Sequence, residues 1–115
     1  MNEKEQILRG NCEEYLEFAE QALAKKKFNT AVTLFFKAIG AAADFFILMK
    51  EGIVPSSHAQ RFKILKEKYP AICHIPDKDF PFYQDSYTKK LTEEAAEVLK
   101  EDAYIIKKFA QEDKR

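Results

Sequence analysis

From Glu3 to about Lys25, apolar residues fall at Leu8, Cys12, Tyr15, Leu16, Ala19, Ala22 and Leu23, the three-and-four spacing of an amphipathic helix. Glu13, Glu14, Glu17, Glu20 and Gln21 take the remaining positions, so one face is solvated and the other must be covered by another element. Gly10-Asn11 loosens the start of this helix.

A second helix is predicted from an Asn29 N-cap, after the Lys25-Lys26-Lys27 run, to Lys50, with Gly52 as its C-terminal stop. At about 100° per residue, Asn29, Thr30, Thr33, Lys37, Asp44 and Glu51 fall within roughly 60° of one line. The rest of the cylinder is apolar. Such a helix is central to its fold, and its small stretch Ala38, Gly40, Ala41, Ala42 and Ala43 allows another backbone to come close, in this chain or across a seam between two copies.

Ser57-His58-Ala59-Gln60 has the form of a capping box, and the helix it opens runs to Tyr69-Pro70 with Arg61, Lys63, Lys66 and Lys68 on a basic face. From Pro70 to Pro81 three prolines, two aspartates and Cys73-His74 predict a long irregular loop of the kind that often carries function. Phe82 to Leu91 reads as a short helix with Tyr83 and Tyr87. Thr92 then caps a last helix, with Glu93 and Glu94 in its first turn and Ala95, Val98, Leu99, Ile106, Phe109 and Ala110 facing inward. No stretch alternates long enough for a strand and no repeat occurs, so the expected fold is all-α, an up-and-down bundle of four to five helices.

Composition refines this picture. At 115 residues, with 46% hydrophobic and 33% charged, the chain suits one domain with one core. Its 19 basic and 19 acidic residues cancel, so no global field draws it to nucleic acid or an anionic membrane, and any such contact is a local patch. Lys37 and Asp44 interrupt the most apolar segment, Ala31 to Met49, which argues against a membrane span. The charged start lacks a signal peptide's apolar stretch, and two cysteines make no disulfide framework; a reducing cytoplasm is the expected compartment.

Two histidines restrict any imidazole chemistry to His58 and His74. His58 lies in a first helical turn, where the positive helix end favours the neutral ring; His74 lies near Asp77 and Asp79, which could orient it as a base. More ordinary roles, a cap-side packing residue and a solvated loop residue, suit both. A metal would need Cys12, Cys73, His58 and His74 to converge, since no motif puts two ligands on one turn; neither metal nor cofactor is expected. Glycine-rich phosphate loops, nucleophile elbows and calcium loops are missing from the sequence. Lys25, Lys26, Lys27, Arg61 and Lys63 are the candidate phosphate contacts, and Lys37, Asp44, Asp85 and Tyr87 the candidate lining of a polar pocket.

Phe28-Asn29-Thr30-Ala31, the aromatic and alanine-rich helix after it, and the step Gly52-Ile53-Val54-Pro55-Ser56-Ser57-His58 before a helix containing Leu65 together resemble small stand-alone prokaryotic members of the HEPN superfamily, over roughly residues 11 to 112. The resemblance implies a commonly dimeric helical bundle that cleaves RNA, serves in toxin–antitoxin pairs, or binds a minimal nucleotidyltransferase, a nucleotide or RNA. Catalytic members carry an Arg, four to six residues and a His near the fourth helix. Between Ile75 and Lys114 this chain has neither, and that region reads Tyr83-Gln84-Asp85-Ser86-Tyr87-Thr88-Lys89-Lys90. The expectation is therefore a degenerate binding module that self-associates. A metal-independent ribonuclease using His58 or His74 with Arg61 or Lys68 is the competing reading, and a plain interaction scaffold the third.

Overall fold

The structure is a computed structural model describing residues 2–112, and it is all-α. Five helices follow one another: α1 (Glu3–Ala24), α2 (Phe28–Glu51), α3 (His58–Lys68), α4 (Pro70–Asp85) and α5 (Glu93–Glu112). No strand occurs among the described residues.

The first helix opens on a capping box, in which Asn2 Oδ1 accepts from the Glu5 backbone N–H at 2.9 Å and the Asn2 N–H donates to Glu5 Oε2 at 3.2 Å. It ends in a Schellman turn: the Lys27 N–H donates to the Ala22 carbonyl at 2.8 Å and the Lys26 N–H to the Leu23 carbonyl at 3.0 Å. Lys26 takes the left-handed conformation that glycine usually supplies, with φ 59°. The lysine run is thus the hinge between two antiparallel helices.

The core is organised around α2, flanked by α1 and α5. Phe35, Ile39 and Ile47 are fully buried, contributing roughly 1.5 to 3 kcal/mol each. By length and hydropathy α2 could cross a membrane, yet most of its apolar window is buried inside the bundle. Ala38, Ala41, Ala42 and Ala43 are covered within the chain, so the small-residue stretch serves close helix packing here rather than a seam between copies. Gly52, at φ 78°, stops α2 as expected.

Asn29 does not cap α2. The helix begins two residues earlier, with Lys27 as an N-cap that makes no side-chain bond, and the Asn29 amide reaches across the chain instead. Its Nδ2 donates to the carbonyls of Ser86 (3.0 Å) and Lys89 (2.6 Å), and its Oδ1 accepts from the Leu91 N–H (2.9 Å). One side chain therefore satisfies three backbone groups of the α4–α5 connection.

The largest departure from expectation is the segment 70–81, which is helical. Pro70 sits at the first helical position, where no N–H is needed, after Tyr69, whose backbone (φ −137°, ψ 59°) is outside the helical region. Pro76 and Pro81 lie inside α4, each forfeiting a helical bond at a cost of about 3 kcal/mol. Burial of Ile72, Cys73, Ile75 and Pro76 offsets that cost, and their spacing is helical. The short helix expected from Phe82 to Leu91 is only the end of α4; beyond Ser86 the chain turns.

Thr92 caps α5 as predicted, its Oγ1 accepting from the Ala95 N–H at 3.2 Å. Ala95, Leu99, Ile106 and Ala110 face inward, whereas Val98 and Phe109 remain 40% and 43% exposed because they sit on the flank of the buried stripe. Glu20 with Lys100 and Glu13 with Lys107 tie α5 to α1 at 3.2 and 2.8 Å.

Candidate functional site

On α2, Lys37, Gly40 and Asp44 follow one another at helical spacing along its single polar line. Arg61, one turn into α3, lays its guanidinium across that line at Gly40. A Cβ at position 40 would stand 3.3 Å from Arg61 Cζ and Nη2, so glycine leaves the room the guanidinium occupies. Arg61 Nε donates to Asp44 Oδ1 at 2.7 Å and Nη2 to Oδ2 at 3.1 Å, a two-pronged pair whose side chains are only 14% and 11% exposed.

His58 lies one turn before Arg61, on the same face of α3, and its Nδ1 is 3.4 Å from Arg61 Nη1. An arginine N–H only donates, so Nδ1 is the acceptor and the neutral ring carries its hydrogen on Nε2. Desolvation, and then the Arg61 charge, hold the His58 pKa below the usual imidazole value. The ring is stacked on Phe80 at 3.9 Å between centroids and 11° between planes. Phe36 stacks on Tyr83 at 4.9 Å, and Lys37 Nζ stands 5.8 Å from the centre of the Tyr83 ring.

These groups line a cavity of about 330 Å³, closed on a further side by Leu8, Asn11 and Tyr15 of α1. Four helices contribute to it. Its ionic groups are Lys37, Arg61 and Asp44, a balance of one positive charge. Asp44 compensates Arg61, whereas Lys37 has no carboxylate partner among the described residues.

The predicted residues divide sharply. Lys37, Asp44, His58 and Arg61 come together in this one cavity. His74 is exposed on α4 and lies outside it, and the proposed orientation by Asp79 is impossible because Asp79 is fully buried. Lys25, Lys26, Lys27 and Lys63 are exposed and away from the cavity lining. Of the basic face expected on α3, Lys63, Lys66 and Lys68 are exposed, whereas Arg61 turns inward to Asp44; Lys68 pairs with Glu51 at 2.7 Å and Lys66 lies over the Phe62 ring. Asp85 pairs with Lys89 at 3.5 Å. Tyr87 is 73% exposed and touches the site only through its hydroxyl, 3.1 Å from that of Tyr83.

Asn11, Tyr15, Phe36, Gly40, Phe80 and Tyr83 belong to the site without having been singled out. The sequence signals for this site are the His58-x-x-Arg61 and Lys37-x-x-Gly40-x-x-x-Asp44 spacings; Phe80 lies in the segment whose prolines predict a loop.

Cys12 and Cys73 are both free and buried, and burial pushes the Cys12 thiol up to about 11. Among the described residues no three His, Cys, Asp or Glu side chains converge to hold a metal ion. Compared with known protein families and with curated proteins, the chain matches none.

Proposed function

We infer that this chain is a non-catalytic HEPN-like helical module whose cavity holds an anionic, ring-bearing ligand, a nucleotide or an unpaired stretch of RNA, in a cytoplasmic setting alongside a partner such as a minimal nucleotidyltransferase. The observation that carries the reading is the unpaired cation at Lys37, set over the Tyr83 ring at the mouth of an aromatic cavity whose other cation is already neutralised. A phosphate or carboxylate meets Lys37, and a planar ring meets Tyr83 and Phe36. His58 supports binding over cleavage: a ring whose Nδ1 accepts from Arg61 and whose Nε2 carries hydrogen is a donor to a ligand rather than a base.

The test is fluorescence anisotropy with a fluorescein-labelled single-stranded oligouridylate at low salt. Lys37→Met is expected to weaken binding by about five- to tenfold and to flatten its salt dependence. Binding that ignores both Lys37 and salt would overturn the reading. The contact between His58 and Arg61 also suits the competing ribonuclease reading. Incubation of the same RNA in excess chelator decides it: cleavage by the wild type that disappears in His58→Ala would replace a binding module with an enzyme.

A further inference from the structure

Away from the cavity, α4 and α5 meet over two buried carboxyl groups, Asp79 at 0% and Asp102 at 7% exposure. Neither oxygen of Asp79 has a hydrogen-bond donor among the described groups. Its carboxyl neighbour, Asp102, is likewise an acceptor when ionised, so the two can bond only if one of them keeps a proton. Lys78 partly covers the pair from the solvent side, with Nζ 2.9 Å from Asp102 Oδ2 and 4.0 Å from Asp79 Oδ1. Asp79 is followed directly by Phe80, the ring on which His58 stacks, and Tyr83 lies one turn further along the same helix.

We propose that the Asp79–Asp102 pair is a proton-dependent latch: while it holds one proton it fixes α4 against α5 and keeps Phe80 and Tyr83 in place in the cavity, and when it loses that proton α4 loosens and the cavity opens. The functional half of this inference rests on the ligand-binding reading above; the latch itself does not.

The surrounding charges agree with this. Among the described residues the charges acting on Asp79 are Asp102 from α5 and Lys78 from its own helix, and Glu101 of α5 acts in turn on Lys78. Of the charged groups on α2 and α3, Asp44 pairs with Arg61 and Glu51 with Lys68, and Lys37 lines the cavity. Desolvation first, then Asp102, push Asp79 up to about 8. A detached α4 returns Asp79 to the ordinary carboxyl range. The opening constant of α4 therefore rises with pH, by up to tenfold per unit, from that range to about pH 8, and levels off above it.

The experiment is hydrogen exchange of the full chain, followed by mass spectrometry over residues 70–85 between pH 6 and 9 and corrected for the intrinsic pH dependence of exchange. Anisotropy with the labelled oligouridylate is measured on the same samples. In the wild type, protection of α4 should fall as pH rises and then level off, while α1 and α2 change little. Asp79→Asn, which supplies a donor to Asp102 without a titrating proton, should flatten the profile. Asp102→Asn should flatten it from the other side, so the inference does not depend on one variant folding. Wild-type protection that does not change with pH, or that changes identically in a folded variant, overturns the latch. Loss of protection with pH but no RNA binding at any pH leaves the latch standing and removes the ligand-binding reading instead.

Discussion

Replacing Asp44 by Asn separates the two roles of the pair at the centre of the cavity, because stability and ligand affinity should move in opposite directions. Asp44 accepts two bonds from Arg61, at 2.7 and 3.1 Å, with both side chains largely buried. Asparagine retains one acceptor and turns an NH2 group toward a guanidinium N–H, so one charge-assisted bond, worth about 1.5 to 3 kcal/mol, is lost outright. Removing one member of a buried pair costs about 3 to 5 kcal/mol. Here Arg61 borders the open cavity and can recover water, which places the expected loss at about 2 to 3 kcal/mol. The same change releases the Arg61 charge. For an anion about 5 Å away, at an effective dielectric between about 20 and 80, that adds about 1 to 3 kcal/mol of attraction, roughly five- to more than a hundredfold in affinity. Urea unfolding followed by circular dichroism reads the first effect, and anisotropy with the labelled oligouridylate, at a temperature where the variant is folded, reads the second. A variant with stability within about 0.5 kcal/mol of wild type and unchanged affinity would refute both the structural role of the pair and the charge balance assigned to the cavity.

Three further outcomes are expected. Asn29→Ala removes three bonds to the α4–α5 connection and should cost about 2 kcal/mol, lowering Tm by roughly 8 °C in a chain of this size, with Asn29→Asp no better because its carboxylate would face the carbonyls of Ser86 and Lys89; an unchanged Tm would show the connection to be held elsewhere. By NMR His58 should titrate below the usual 6.5, and Arg61→Gln should bring it only part of the way back, since burial is the larger cause; because the unfolded chain takes up the proton first, stability present above about pH 6.5 should decline as pH falls, and a midpoint at or above 6.5 would contradict the geometry. Lys26→Gly, relieving a left-handed lysine at φ 59°, should raise stability by about 1 kcal/mol in urea unfolding, a gain that a strained turn requires and a relaxed one does not.

The fold class, the limits of α1, the Gly52 stop, the Ser57 and Thr92 caps and the central position of α2 were all legible in the sequence, because hydrophobic period and capping chemistry are local properties of the chain. For the same reason the Pro70–Pro81 segment reads as a loop in the sequence although it is helical. Prolines report a local cost correctly but say nothing of the burial that offsets it, and Ile72, Cys73, Ile75 and Pro76 are buried only because other helices lie against them. Asn29 repeats the lesson on a single residue: an asparagine beside a helix start is a cap by local preference, but here its amide meets backbone groups 57 to 62 positions away.

The site shows the same division. The sequence determined that Lys37, Gly40 and Asp44 share one line of α2 and that His58 and Arg61 share one face of α3, since helical spacing fixes both. Only the tertiary structure decided that the two lines cross at Gly40, that Arg61 turns from a basic surface to a buried partner, and that α4 brings Phe80 and Tyr83 to complete the cavity. The physical reason is that the angle and distance at which helices cross depend on how their side chains interdigitate, and one chain position carries no record of its distant neighbours. The acid pair at Asp79 and Asp102 is the clearest case, for two aspartates 23 positions apart look like solvated surface until packing places them together out of water.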